Sequence, residues 1–98
     1  MVAKTSAAPL TLKDHHCFVY VLGSTGNGRR LTYVGWTNDL AKRLARHNAG
    51  TGARFTRGRT WVLLHSERLP TRSAAMSREW HLKRDRKFRK KLREREAS

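Results

Sequence analysis

The sequence predicts a small α/β domain: a three-stranded, mainly antiparallel sheet flanked by helices, in the order β-β-α-β-α-α. Three observations predict it. Two short runs rich in β-branched and aromatic residues, CFVYVL (17–22) and LTYVGW (31–36), are joined by a glycine-rich stretch that reads as a hairpin turn. A third such run, WVLLHSE (61–67), stands apart, and the segments before and after it carry apolar residues at helical spacing. The chain has 98 residues, which suits one domain with a small core.

Residues 1–14 are small, polar and weakly patterned, and read as a flexible leader ahead of a domain spanning 15–98. They lack the apolar stretch of a signal peptide. CFVYVL is apolar without alternation, the mark of a strand buried on both faces. GSTGNGRR (23–30) is expected to be a mobile hairpin loop, and LTYVGW the returning strand. Thr37 or Asn38 can cap the next helix, whose positive end suits Asp39, and which runs to about Asn48. AGTGARFTRGRT (49–60) reads as a loop rich in glycine and arginine, followed by the third strand. Thr71 or Ser73 is the expected cap of a second helix over 71–84, and a basic helix follows to about Arg95.

Lysine and arginine number 22 against 7 acids, a formal charge of +15. Such an excess points to a polyanionic partner, most commonly nucleic acid. A membrane surface ranks low, since there is no long apolar run and no amphipathic aromatic-basic helix. The single cysteine, Cys17, allows no intrachain disulfide, which fits a reducing, cytoplasmic setting. GSTGNG is not a phosphate-cradling loop, because no Gly-Lys-Ser/Thr follows it. The adjacent residues HHC (15–17) cannot enclose a zinc ion.

Charged residues on apolar faces carry the functional reading. At 100° per residue, Leu40, Leu44 and His47 fall within about 60° of one another, with Arg43 about 60° from Leu40, while Lys42 and Arg46 point away. Arg43 could snorkel and His47 could be a satisfied helix-end histidine. On the second helix Glu79 shares a face with Ala75 and Leu82, flanked by Met76 and Trp80. A carboxylate there is costly unless it is paired, perhaps with Arg43 as an internal salt bridge, or bound to a metal. The two hairpin strands add Tyr20 and Tyr33. Tyrosine, arginine, histidine and a metal-bound carboxylate suffice for phosphodiester hydrolysis: a group to take a proton from water, one to neutralise the phosphorane and one to hold a cation.

These residues carry a resemblance. The chain resembles the GIY-YIG nuclease superfamily in its small single-domain form, and also the nuclease half of the structure-selective branch without its cysteine-rich zinc domain. FVY (18–20) stands at the GIY element and YVG (33–35) at the YIG element. YVGWTNDLAKRLARHNAG resembles the family's Arg- and His-bearing helix, and GARFTRGRTWVLLHSE with SREWHLKR the segments leading to its metal-binding Glu. Phe18 replaces the first Gly of GIY, and no Asn follows the Glu. The resemblance implies a divalent-metal-dependent DNA endonuclease. Tyr20 would sit near the attacking water, Tyr33 would orient water and phosphate, Arg43 would contact the scissile phosphate, and His47 would assist proton transfer. Glu79 would ligate a single Mg²⁺ or Mn²⁺, as the only carboxylate expected on an inward face. Gly35 would let the strand-to-helix turn approach the site without a Cβ.

Two further segments suit nucleic acid. From Lys83 to Arg95 there are nine basic residues and two acids, among them Lys83, Arg84, Lys87, Lys90 and Lys91, which would repel one another without a phosphate partner. Arg54, Phe55, Arg57 and Arg59 combine an aromatic ring with cations, which suits stacking on an unpaired base; Phe55 could instead pack down on the core. The expected substrate is DNA, single-stranded or branched. The alternative is a non-catalytic nucleic-acid-binding protein that keeps the fold.

Overall fold

The computed structural model describes residues 16–25 and 30–97, so the leader and the tip of the first hairpin lie outside the described residues, as does His15. The observed order is β1 (Cys17–Thr25), β2 (Thr32–Thr37), α1 (Leu40–Asn48), a short 3-10 turn at Arg54–Thr56, β3 (Thr60–Leu69), α2 (Arg72–Arg84) and α3 (Arg86–Ala97). This is the expected α/β arrangement. The sheet order is β2-β1-β3 and both pairings are antiparallel, with a bulge between Val21 and Leu22.

The central position of β1 explains its unbroken apolar run. Side chains alternate across a strand, so a strand covered on both faces must be apolar at every position. Cys17, Val19 and Val21 enter one core with Val34, Ala75, Leu82 and Leu92, under α2 and α3. Tyr20 and Leu22 enter a second core with Trp61, covered by Leu31, Tyr33, Leu40 and Leu44. The site is built on this second face.

Local signals set the helix ends. Asp39, not Thr37 or Asn38, caps α1: its carboxylate accepts from the Lys42 N–H at 3.0 Å, while Thr37 Oγ1 accepts from the Asp39 N–H at 3.1 Å. Thr71 caps α2, accepting from the Ala74 N–H. Asp85 ends α2 and starts α3, with Oδ1 accepting from the Phe88 N–H at 3.1 Å.

Two polar ties lock the layers. Glu67 on β3 accepts two hydrogen bonds from Arg78 on α2, at 2.8 and 3.0 Å, and lies 2.8 Å from His65 Nε2. The Arg78 hydrogen bonds hold the Glu67 carboxyl below the usual range, outweighing partial burial. Glu67 is therefore a second part-buried carboxylate, contrary to the expectation that Glu79 alone faces inward. The strand alternation that hides Glu67 also brings it under α2, where Arg78 claims it. Arg89 on α3 donates to Leu82 O, Lys83 O and Thr32 Oγ1, tying α3 to both α2 and β2.

Candidate active site

The hairpin register builds the aromatic half of the site. Tyr20 pairs across the strands with Gly35, and Leu22 with Tyr33, so Tyr20 and Tyr33 share a face with ring centroids 6.3 Å apart. The Tyr20 phenol lies over Gly35. A Cβ built at Gly35 would stand 2.6 Å from the Tyr20 hydroxyl and 3.1 Å from the Tyr33 ring. The glycine therefore serves the close approach of a phenol, and not that of the strand-to-helix turn.

The C-terminal end of α1 supplies the histidine and the loop that holds it. Gly50 N–H donates to His47 O and Thr51 N–H to Arg46 O, with Gly50 at φ +82°, a Schellman stop that turns the chain back across the helix end. The returning loop lays Gly52 against the His47 ring, where a Cβ would come within 2.6 Å of Nδ1. The 3-10 turn then brings Thr56 under the ring. Asn48 holds the far end of the loop, accepting from the Trp61 N–H at 2.7 Å and donating to Trp61 O at 3.1 Å.

His47 has 0% of its surface exposed and both ring nitrogens are engaged. Nε2 lies 2.9 Å from the Tyr20 hydroxyl and Nδ1 2.8 Å from Thr56 Oγ1. The Thr56 hydroxyl donates to Ala53 O at 2.8 Å, so it can only accept from the ring. This assigns the proton of the neutral ring to Nδ1 and leaves Nε2 to accept from Tyr20. The direction runs Tyr20 O–H to Nε2, Nδ1–H to Thr56, Thr56 O–H to Ala53. Burial first, then the charge of Arg43, hold the His47 pKa below its ordinary value, so the ring is neutral near pH 7. Burial and the neighbouring Tyr33 push the Tyr20 phenol well above the usual range, against the opposing pull of Arg43. Burial and then Glu79 raise Tyr33, again opposed by Arg43.

Arg43 lies within electrostatic reach of Tyr20, Tyr33 and His47, and Glu79 within reach of both tyrosines. Arg43 opens onto a depression of about 320 Å³ shared with Arg46, Thr51, Gly52 and Ala53. Arg46, expected to point away, thus joins Arg43 because residues three apart on a helix are neighbours. Glu79 pairs with Lys83 at 3.5 Å, one turn along α2, and not with Arg43. Among the described residues no three His, Cys, Asp or Glu side chains converge. One carboxylate, 22% exposed and paired at long range, suits an ion that keeps most of its water and takes few protein ligands, as Mg²⁺ does.

The outer residues divide. Phe55 does not pack down on the core: it is 52% exposed, with one side stacked on Tyr33 at 6.1 Å. It lines a basic cleft of about 380 Å³ with Arg30, Leu31, Thr32, Arg86, Arg89, Lys90 and Arg93. Arg54, Arg57, Lys87 and Lys91 are exposed, and Arg59 is half-buried. Arg84 folds back over the Trp80 ring at 3.7 Å, and Lys83 is drawn to Glu79. Met76 and Trp80 stay exposed beside the buried stripe of Ala75 and Leu82. His65 and His81, without partners in the sequence reading, contact Glu67 and Ser77 O respectively. Sequence reasoning missed Thr56 and Gly52; the Gly-Thr-Gly of the loop was the available signal, since a helix stopped by glycine must return over its own end.

No helix among the described residues is long and apolar enough to cross a membrane. The model of the GIY-YIG catalytic domain matches residues 16–93. A UPF0213 protein of Haloquadratum walsbyi is 45% identical over 73 residues, covering 74% of this chain and 78% of its own. A UPF0213 protein of Natronomonas pharaonis is 46% identical over 71 residues, covering 71% and 78%. One from Streptococcus pneumoniae is 40% identical over 72 residues, covering 72% and 70%. No solved structure matches the chain significantly. The match over residues 16–93, on a chain that carries the tyrosine hairpin, the Arg–His helix and the Glu-bearing helix in that order, places the chain in the GIY-YIG catalytic domain family, a nuclease-type domain.

Proposed function

We propose that the protein is a divalent-metal-dependent DNA endonuclease acting on single-stranded or branched DNA in a reducing, cytoplasmic setting. The observation that carries this reading is the buried Tyr20–His47–Thr56 chain beside Arg43 and Glu79. Tyr20 and His47 act in series. As water attacks phosphorus, its proton passes to the Tyr20 oxygen while the Tyr20 proton passes to His47 Nε2. The imidazolium so formed keeps Nδ1–H on Thr56, and the phenol is never left as a phenolate, which its burial forbids. One P–O ester bond breaks, and the departing oxygen takes a proton from solvent. Arg43 forks onto the phosphate oxygens, with Arg46 beside it, and stabilises the charge that develops there. Tyr33 orients the water and phosphate. Glu79 would hold the Mg²⁺ or Mn²⁺ ion, whose chemistry is to neutralise charge on the phosphate. Arg54, Phe55, Arg57, Arg59, Lys87, Lys90 and Lys91 contact the DNA around the site.

The Glu79–Lys83 pair favours one second reading, a nucleic-acid-binding protein in which the carboxylate is neutralised internally. Incubating single-stranded, duplex, flap and junction DNAs with the purified protein separates the two. The nuclease reading expects cleavage with Mg²⁺ or Mn²⁺, none with chelator, and loss of cleavage with retained binding in Glu79→Gln. Binding without cleavage on every substrate and ion overturns it.

A further inference from the structure

The cleft beyond Phe55 is built from parts of the chain far apart in sequence. Arg86, Arg89, Lys90 and Arg93 are spaced to share one face of α3, and they meet Arg30, Leu31 and Thr32 at the start of β2. Five of the eight lining residues are cationic and none is acidic. Two of the cations are fixed. Arg89 is held by Leu82 O, Lys83 O and Thr32 Oγ1, and Arg93 by Arg30 O at 2.8 Å. Arg86 and Lys90 are exposed at the mouth. Burial and then the charges of Arg86 and Arg93 work against the Arg89 cation, so the cleft gathers like charge that an anion would relieve.

The aromatic wall adds a second requirement. Phe55 is tilted by 23° from the Tyr33 ring, and Tyr33 lies 4.9 Å from His47, so a row of rings leads from the cleft to the proposed chemistry. The outer side of Phe55 is open. A bare phosphate satisfies the arginines and leaves the phenylalanine in water. An apolar ligand does the reverse. A nucleotide of an unpaired strand satisfies both, because its base has a free face, which paired bases inside a duplex lack.

We infer that this cleft seats the unpaired DNA strand beside the scissile phosphate, with a base stacked on Phe55 and phosphates on Arg86, Lys90 and the fixed guanidiniums of Arg89 and Arg93. The inference rests on the nuclease reading only in taking the strand to continue into the Tyr20–His47 site. It makes the single-strand preference a property of one ring.

The test reads binding in chelator, so that cleavage plays no part. A short single-stranded oligonucleotide carrying one fluorescent adenine analogue is titrated with protein at several salt concentrations, alongside a relaxed, covalently closed circular duplex. Stacking on Phe55 should quench the analogue at one position. Phe55→Ala should abolish that quenching and weaken single-strand binding by about 5- to 150-fold. Affinity for the closed duplex should stay unchanged, and Phe55→Trp should keep both signals. Arg86→Gln with Lys90→Gln should lower the salt slope on single strands by about 1.4. Unchanged single-strand binding in Phe55→Ala, or equal losses on strand and closed duplex, overturns the inference. A wild type that shows the expected binding and cuts nothing with metal overturns the nuclease reading and leaves the cleft standing. A wild type that cuts while Phe55→Ala binds normally overturns the cleft alone.

Discussion

A histidine sealed from solvent acts only through the two atoms its nitrogens touch. Thr56 is therefore a positioning residue, fixing which nitrogen holds the proton. Thr56→Val should leave a buried N–H without a partner and cost about 1–3 kcal/mol of stability. It should also lower the cleavage rate, while Thr56→Ser keeps both, as melting and single-turnover kinetics would show. If Tyr20 and His47 act in series, as proposed, Tyr20→Phe with His47→Ala should be no slower than the worse single variant. Losses that multiply would mean the two act independently. The sign of the pH effect follows from the lowered His47 pKa. Below the unfolded value of about 6.5 the unfolded chain takes up a proton that the folded chain refuses. Stability is thus full above that pH and declines as pH falls from it through the folded pKa. His47→Gln should remove this component from melting curves recorded between neutral and acid pH. The position of His47 was legible in the sequence, since helical angles alone put it beside Leu40 and Leu44. Thr56 was not, because its contact depends on a loop reversal nine residues long that no periodicity reports.

At the scale of elements, the hairpin and the Schellman stop decide whether these side chains meet. The strands were readable because β1 is covered on both faces and so is apolar throughout, but a run with no alternation does not fix the register. The reason for Gly35 was not readable. It lies in a phenol from the opposite strand, and only the pairing of Tyr20 with Gly35 exposes it. Gly35→Ala should push the Tyr20 hydroxyl off His47, since the nearest atoms are a buried ring and not a flexible chain end. The expected outcome is a lower melting temperature and a cleavage rate approaching that of Tyr20→Phe. Wild-type activity in a folded Gly35→Ala protein would show that the ring has room to move. The pairing of Glu79 was likewise hidden, because Lys83 and Arg43 are both chemically suitable and only the path of α2 chooses between them.

At the scale of the whole molecule, the net charge of +15 foretold a polyanion but not where it would lie. The basic C-terminal segment reads in sequence as a helix that meets phosphate. In the structure Leu92 is part of the core and Arg89 reaches Thr32, so α3 is both surface and foundation. Truncation after Arg84 should therefore unfold the protein, seen as loss of a cooperative melt. Replacing the exposed Lys87 and Lys91 with Gln should leave the melt intact. That pair should also flatten the salt dependence of binding, by about 0.7 to 0.9 for each phosphate no longer neutralised. The placement of Leu92 and Arg89 has a temporal meaning as well. A ribosome adds about 5–20 residues per second, so the tyrosine hairpin emerges several seconds before the helix that completes its core. When the side chains of the candidate site, as far as Glu79, have been synthesised, Leu92, which closes one of the two cores, has not, so the sheet waits on the C-terminal helix for its cover.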